Sequence, residues 1–364
     1  MRPAGSRFFS APFAAISLAM ALALSACDRG ETYPPALATG PTGALSFLVI
    51  GDTPYDEADR EMLAAALPKV RSADFPFIAH IGDYKGGGAP CEPEHDLRFK
   101  SLLAELAPTP VFYVPGDNEW TDCDRHDDPA TGQKYSDLAR LKTVRGFFPT
   151  IGVAIAGDAP TSMAAERQAT QIENATWVHA NVRFATVHAV GTNNGRDWVT
   201  GDPLDVAAAA ANARDALNLL WISDVFDRAR AENATAVVLF MHGDPTAISG
   251  KPRGEICRDA ATSDDHACDG FAGLRATVRA AAEEFSKPVL VVHGDTAPFE
   301  ISRNFAGDEG AWLWRLNAAG DAGFGRTGLP YGIRDVTIVK VDPANAAAPF
   351  AATGLVTGKP AKAL

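Results

Sequence analysis

The chain has 364 residues, 46% hydrophobic and 21% charged, a balance that argues against disorder and is long enough for one large core or two smaller ones. Acids outnumber bases by 45 to 33, giving a formal charge of −12. That charge argues against a general nucleic-acid binder, because phosphate backbones select basic surfaces, and no nucleic-acid partner is expected.

The chain opens "MRPAGSRFFSAPFAAISLAMALALSAC", with Arg2 and Arg7 ahead of an apolar run. This reads as an export signal over residues 1–26. Its end, Leu24-Ser25-Ala26-Cys27, resembles the bacterial lipobox, which makes Cys27 the expected lipid-bearing residue. Asp28 then hints at retention in the inner membrane, so the expected location is the periplasmic face of the cell membrane. Residues 27–44, rich in Pro, Gly and Thr, read as a flexible tether.

From Leu45 apolar runs alternate with amphipathic stretches. "LSFLVI", "PFIAHI" and "PVFYV" read as strands, with helices over "DEADREMLAAALPKV" and "EHDLRFKSLLAEL" between them. Continuous apolar strands separated by helices indicate a buried, largely parallel sheet. "DLARLKTVRGFF" is expected to be helical, and "TWVHANVRFATVHAV" to be one or two strands before a "GTNNG" turn. Residues 205–231 form the longest helix candidate. "AVVLFM" and "PVLVV" are further buried strands flanking a helix at 271–285, and "RDVTIVKVD" is a late strand. The domain is expected over 45–345, with 346–364, rich in Ala, Pro and Gly, fraying as a disordered tail.

Besides Cys27 there are four cysteines, an even number that in an exported chain suggests disulfides. Four cysteines allow three pairings. Cys91 with Cys123 and Cys257 with Cys268 are favoured, because each follows a strand end within a few tens of residues. Thiol ligation of a metal is the weaker alternative, since no close CxxC pair exists.

Five strand-like runs stop at Gly51-Asp52, Gly82-Asp83, Gly116-Asp117, His242-Gly243-Asp244 and His293-Gly294-Asp295. A single Asp in such a place commonly caps a turn or helix. In an open α/β sheet, however, ligands bind at the carboxyl ends of strands. If the sheet gathers these ends, carboxylates and imidazoles converge, and like charges left unpaired would be costly. A divalent cation, or two, removes that cost.

The order of these segments resembles the calcineurin-like metallophosphoesterase superfamily, whose pattern runs D-x-H, GD, GNH(E/D), a lone His, then GHxH. Within it the chain is similar to bacterial proteins with GDxKxG, PGDNEWTDC and HGDT, which here read "GDYKGG", "PGDNEWTDC" and "HGDT". The resemblance implies an α/β fold of layered sheets flanked by helices, with the metal site at the C-terminal ends of strands. It implies hydrolysis of a phosphorylated small molecule by metal-activated water, with Asp83 bridging two ions. The second ion would take Asp83, Asp117, His242 and His293, and the first Asp52, Asp83 and Asp295. The sequence departs from the pattern at Pro54, Asp117, Asn118 and Asp295, leaving the first ion without imidazoles. Oxygen ligands favour Mn²⁺, Mg²⁺ or Ca²⁺, with Fe or Zn as alternatives.

Lys85 beside Asp83 could offset phosphate charge, or be an ordinary loop lysine. Asn118 stands where the resemblance places a catalytic His; it can donate to phosphate but not supply a proton near neutral pH. Either His126 then supplies the proton, with an ordinary solvated loop histidine as the competing reading, or the substrate carries a good leaving group. Asn193 and Asn194 of "GTNNG" could contact phosphate or ribose, or simply occupy left-handed turn positions. Trp120 is expected to pack beside the site and Glu119 to orient a ligand, with His188 a supporting donor or core residue and His80 structural. The competing reading, which Pro54 and Asn118 support, is a non-catalytic lipoprotein of the same fold that binds a ligand or partner. The oligomeric state is left open.

Overall fold

Apolar runs buried on both sides form the strands of this chain, and amphipathic helices cover the outer faces. The computed structural model describes residues 43–148, 165–196, 201–247, 268–305, 308–320, 322 and 332–363. All of them fall within one compact unit, Ala36–Leu364. The expected signal segment, Cys27, most of the tether and Cys257 lie outside the described residues.

The first sheet holds β1 (Leu45–Ile50), β2 (Ile78–His80) and β3 (Val111–Tyr113) in parallel, extended by antiparallel β13 (Thr337–Val341) and β14 (Phe350–Gly354). The second has eight strands. β4 (Glu166–Gln168), β5 (Gln171–His179) and β6 (Val182–Thr186) are antiparallel, and β6, β7 (Ala236–Phe240), β8 (Val289–His293) and β12 (Leu313–Asn317) are parallel. β9 (Glu300–Ser302) and β15 (Lys362–Ala363) close its far edge. β10 (Asn304–Phe305) and β11 (Asp308–Glu309) pair as a short ribbon. The layered sheets flanked by helices that the resemblance implies are thus present, and the largely parallel pattern read from the apolar runs is extended by antiparallel strands in both sheets. Strands buried on both faces look alike whether a helix or a second sheet covers them.

Helices α1 (Glu57–Ser72) and α2 (Pro93–Leu106) cover the first sheet, where Met62, Leu63 and Val70 pack on Leu48, Ile50 and Ile78. α3 (Asp137–Arg145) follows the third strand. α4 (Leu204–Ala231) and α5 (Ala272–Phe285) cover the second sheet. Between the sheets lies an aromatic core of Phe47, Phe77, Phe112, Trp177, Phe184 and Phe240, all at most 1% exposed. Phe112 stacks on Trp177 with ring centroids 3.5 Å apart. The order from outside to outside is helices, sheet, sheet, helices.

Beyond residue 345 the composition predicts fraying; instead Phe350–Gly354 pairs with β13, and Lys362 and Ala363 pair with β9. Phe350 is buried at the sheet edge, and backbone pairing holds small residues that composition alone marks as disordered. Cys91 and Cys123 form a disulfide with Cα atoms 5.6 Å apart, the expected pair. Cys268 is disulfide-bonded as well, though its expected partner is not among the described residues. Among the described residues, no helix is long and apolar enough to cross a membrane.

Candidate metal centre

Strand ends of both sheets deliver the site. Asp52 follows β1, Asp83 follows β2, Asp117 follows β3, His242 follows β7 and Asp295 follows β8. Asp52, Asp83 and Asp295 adopt positive φ values of 53°, 57° and 65°. This left-handed step is unfavourable for residues with a Cβ and is tolerated best by Asp, Asn and Gly. It turns each chain sharply out of its strand and folds the carboxylate back onto the strand ends.

The side chains converge. Oxygens of Asp52 and Asp83 and a nitrogen of His242 lie within 4.8 Å of one another, and so do donor atoms of Asp117, His242 and Asp295. His242 is fully buried, with Nδ1 2.9 Å from the Ile81 carbonyl. A carbonyl can only accept, so Nδ1 carries the proton, and Nε2 faces the acids at 3.0 Å from Asp117 Oδ1 and 3.3 Å from Asp83 Oδ1. A histidine oriented by a carbonyl, with its other nitrogen aimed at carboxylates, has the arrangement of a metal ligand.

Charge is unbalanced in this cluster. Burial, and then the neighbouring Asp117, Glu119 and Asp52 carboxylates, push Asp83 well above the usual range despite the His242 charge. Burial and Asp117 raise Asp295 likewise. Burial would also raise Asp117, but the hydrogen bond and charge of His242 hold it below the ordinary value. Burial disfavours the His242 charge, yet Asp83 and Asp117 raise its pKa well above normal. One imidazole cannot neutralise four clustered carboxyl groups. An oxygen-rich donor set with one imidazole fits a divalent cation such as Mn²⁺, Mg²⁺ or Ca²⁺. A single ring nitrogen serves one ion, so the two donor groups that meet at His242 cannot both use it.

The surrounding residues hold this cluster tightly. Glu119 is fully buried and accepts from the Asp83 N–H at 3.0 Å, the Gly116 N–H at 2.7 Å and the Tyr113 hydroxyl at 2.8 Å. It orients Asp83 through the backbone, as expected of it. Trp120 is buried beside His188, their ring centroids 5.4 Å apart. A Cβ on Gly294 would lie 2.0 Å from Asp52 Oδ2, and one on Gly191 would lie 2.2 Å from Asp117 Oδ2, so neither position admits a side chain without displacing a carboxylate.

Asp52, Asp83, Asp117, Asn118 and Asp295 open into a cavity of about 390 Å³. Tyr55, Asp122, Arg125 and Thr192 help to complete its walls; Asp122 stands inside "PGDNEWTDC" but has no role assigned by the resemblance, and the other three lie outside the motifs. Tyr55 donates its hydroxyl to Asp83 Oδ2 at 2.7 Å. Thr192 Oγ1 is 2.9 Å from both Asp117 Oδ2 and Asp122 Oδ1. Arg125 reaches Asp122 at 2.6 Å with its side chain half exposed, placing a cation at the rim of an acidic cavity. The run of polar residues after "PGDNEW" is the available signal for Asp122 and Arg125. Thr192 is hidden inside a turn read for its asparagines.

Several expectations are corrected. His293 is not with the other candidate ligands: its Nδ1 is 2.9 Å from the Gly294 carbonyl, and its Nε2 is 3.2 Å from Arg315 and 3.7 Å from Asp244. β7 and β8 pair with Phe240 opposite Val292, so the following positions place His293 beside Met241, whose side chain belongs to the core under the helices. His242, one residue further, points to the opposite, inter-sheet face. Asp295 accordingly lies with Asp117 and His242 in the second-ion group, rather than only with Asp52 and Asp83.

Lys85 does not line the acidic cavity. Its Nζ donates to the Ala89 carbonyl at 2.8 Å, and burial pushes its pKa down. It braces the glycine-rich loop. Asn193 bonds the Cys268 carbonyl and the Gly270 N–H, and Asn194 bonds Asp215 and the Gly270 carbonyl. Both pin the turn from behind while φ of 54°, 54° and 57° at Thr192, Asn193 and Asn194 bends it, so the turn reading holds and neither asparagine lines the acidic cavity. His126 lies 3.4 Å from the Gly87 carbonyl, outside the cavity lining. Asn118 remains, its Nδ2 donating to Asp83 and to the Tyr55 hydroxyl. Among the described residues, His188 has no hydrogen-bond partner on either ring nitrogen, and it is a core residue.

The chain matches the profile of the calcineurin-like phosphoesterases over residues 45–299. In fold it is similar to a dimetal phosphatase from Danio rerio, at 12% identity and a TM-score of 0.44, covering 83% of this chain and 96% of that one. It is similar to GAP50, the anchor in the inner membrane complex of Plasmodium, at 10% identity and 0.41, covering 87% and 86%. It is similar also to TT1561 of Thermus thermophilus, at 12% identity and 0.37, covering 86% and 99%. No curated protein matches it in sequence. With the family profile spanning most of the chain and ending past the last motif, the protein belongs to the calcineurin-like phosphoesterase family.

Proposed function

We propose that this protein is a metal-dependent phosphoesterase that hydrolyses a phosphorylated small molecule. The observation that carries this reading is the convergence of Asp52, Asp83, Asp117 and Asp295 on the Nε2 face of His242, at the floor of an open cavity. A divalent cation held there supplies charge neutralisation and Lewis acidity toward a phosphate ester. The chain's own residues supply the rest. Glu119 and Tyr55 fix Asp83, and Thr192 fixes Asp117. Arg125 offers a positive charge at the rim, where a phosphoryl oxygen enters. The Asn118 amide can donate to that oxygen but not protonate a leaving group.

We further propose that the protein is exported and lipid-anchored through Cys27 on the periplasmic face. The leader sequence, the lipobox-like segment and the Cys91–Cys123 disulfide support this reading.

The test is hydrolysis of p-nitrophenyl phosphate and bis-p-nitrophenyl phosphate with added Mn²⁺ or Mg²⁺, compared with Asp83→Ala. Metal-dependent turnover that disappears in the variant is expected. Equal rates in both proteins, or turnover in neither, would favour the non-catalytic binding reading.

A further inference from the structure

A second cavity, of about 550 Å³, lies between α1 and α2 and shares one wall with the acidic cavity. Tyr55 belongs to both: its hydroxyl meets Asp83, and its ring stands 3.6 Å from where a Cβ on Gly86 would lie. The groove runs from this ring over Leu63, Ala64 and Leu67 of α1 and over Leu97, Phe99 and Leu102 of α2. Leu97 lines it and is 63% exposed, which extends the apolar surface to the mouth of the groove. Arg60, Lys85, Glu94, His95, Arg98 and Glu105 also border the groove, three cations, two anions and an imidazole. Arg60 is paired with Glu57 at 2.6 Å and Arg98 with Glu94 at 2.5 Å. Lys85 is bonded to loop carbonyls. With acids standing among these bases and Lys85 held by the loop, the continuous surface between α1 and α2 is apolar rather than a second anion site.

We propose that this groove is the leaving-group subsite: it takes the uncharged, apolar alcohol portion of the phosphoester, an aryl or long alkyl group, while the phosphoryl group sits at Asp83. The inference rests on the phosphoesterase reading and adds the substrate class to it. Tyr55 then divides the substrate, its hydroxyl holding the phosphoryl end of the site and its ring flanking the carbon chain. A substrate with a second charged group, such as a sugar bisphosphate, would bring unpaired charge onto apolar surface and is disfavoured.

The test compares 1-naphthyl phosphate with glycerol 2-phosphate on the wild-type protein and on Ala64→Trp, which fills the groove from an exposed helix position, and Leu102→Asp, which makes it polar. Both variants are expected to raise KM for 1-naphthyl phosphate about tenfold, equivalent to about 1.4 kcal/mol, and to leave glycerol 2-phosphate unchanged. Binding of 1-naphthol, followed by calorimetry, is expected to weaken in parallel. Equal effects on both substrates, or 1-naphthol binding that ignores both substitutions, would overturn the proposal. If no phosphate ester is hydrolysed, the calorimetry still decides the groove, so its failure and that of the phosphoesterase reading are told apart.

Discussion

The Asp295 N–H donates to Asp52 Oδ1 at 2.9 Å, joining the last motif of the chain to the first across 243 positions. One strand end thus holds the other in place: the Asp52 carboxylate is fixed through Oδ1 by the backbone of Asp295. The site is therefore assembled only when both sheets are formed.

Metal affinity should depend on residues that touch no ion. Glu119→Gln keeps the size of the side chain but replaces one oxygen with a donor facing the Asp83 and Gly116 N–H groups. We expect Mn²⁺ affinity by calorimetry to fall about 10- to 100-fold, with the far-ultraviolet circular dichroism unchanged. Unaltered affinity would mean Asp83 needs no brace.

Removal of divalent ions should destabilise the fold. Without a cation His242 is, among the described residues, the one positive group amid the buried acids of the site, so chelation is expected to lower Tm and Mn²⁺ to restore it. The shift should correspond to about 2.7 kcal/mol at an ion concentration near 100 times Kd. Asp83→Ala should abolish the dependence, and a Tm indifferent to chelator would contradict a cation at this site.

Acid should unfold the protein partly through His80. Burial holds its pKa down at about 3, against an ordinary 6.5. The unfolded chain therefore binds a proton between those values that the folded chain does not. Stability contributed by neutral His80 is fully present above pH 6.5 and declines as pH falls toward 3, by about 1.4 kcal/mol per pH unit. His80→Leu should flatten the slope of stability against pH in that window by one proton, measured by urea unfolding at several pH values. An unchanged slope would place the acid sensitivity elsewhere.

Reducing the Cys91–Cys123 bond should loosen the loop that carries Asn118 and Asp122. The bond spans 32 positions, and in the chain-entropy account closing a loop of that size stabilises by about 3.7 kcal/mol. A Cys91→Ser, Cys123→Ser double variant should show a lower Tm and a higher KM for aryl phosphates, since the loop forms one wall of the cavity. A change in Tm alone would separate the wall from the site.

Much of this was legible in the chain. Asp and His after apolar runs point to converging strand ends, and Asp52, Asp83, Asp117, His242 and Asp295 do converge. His293 misled because a motif fixes order but not facing: it is the last residue of β8, and pairing with β7 turns it toward the helices. Lys85, Asn193 and Asn194 have the chemistry for substrate contact, yet carbonyls and amides of neighbouring loops consume it. Those partners are distant in sequence, as with Asn193 and Gly270. Tyr55 and Thr192 were hidden for the same reason, since their value comes from Asp83 and Asp117 across the fold. The layering of two sheets came from the motif resemblance and not from the apolar runs, because strands covered by another sheet carry the same run as strands covered by helices.

The hydrogen that Gly191 carries in place of a side chain sets a limit on engineering this pocket. Loop grafting from other proteins would fail unless the donor loop also kept a bare Cα beside Asp117. Variation is better directed at the exposed face of α1, where new shapes can be tried without disturbing the acids beneath.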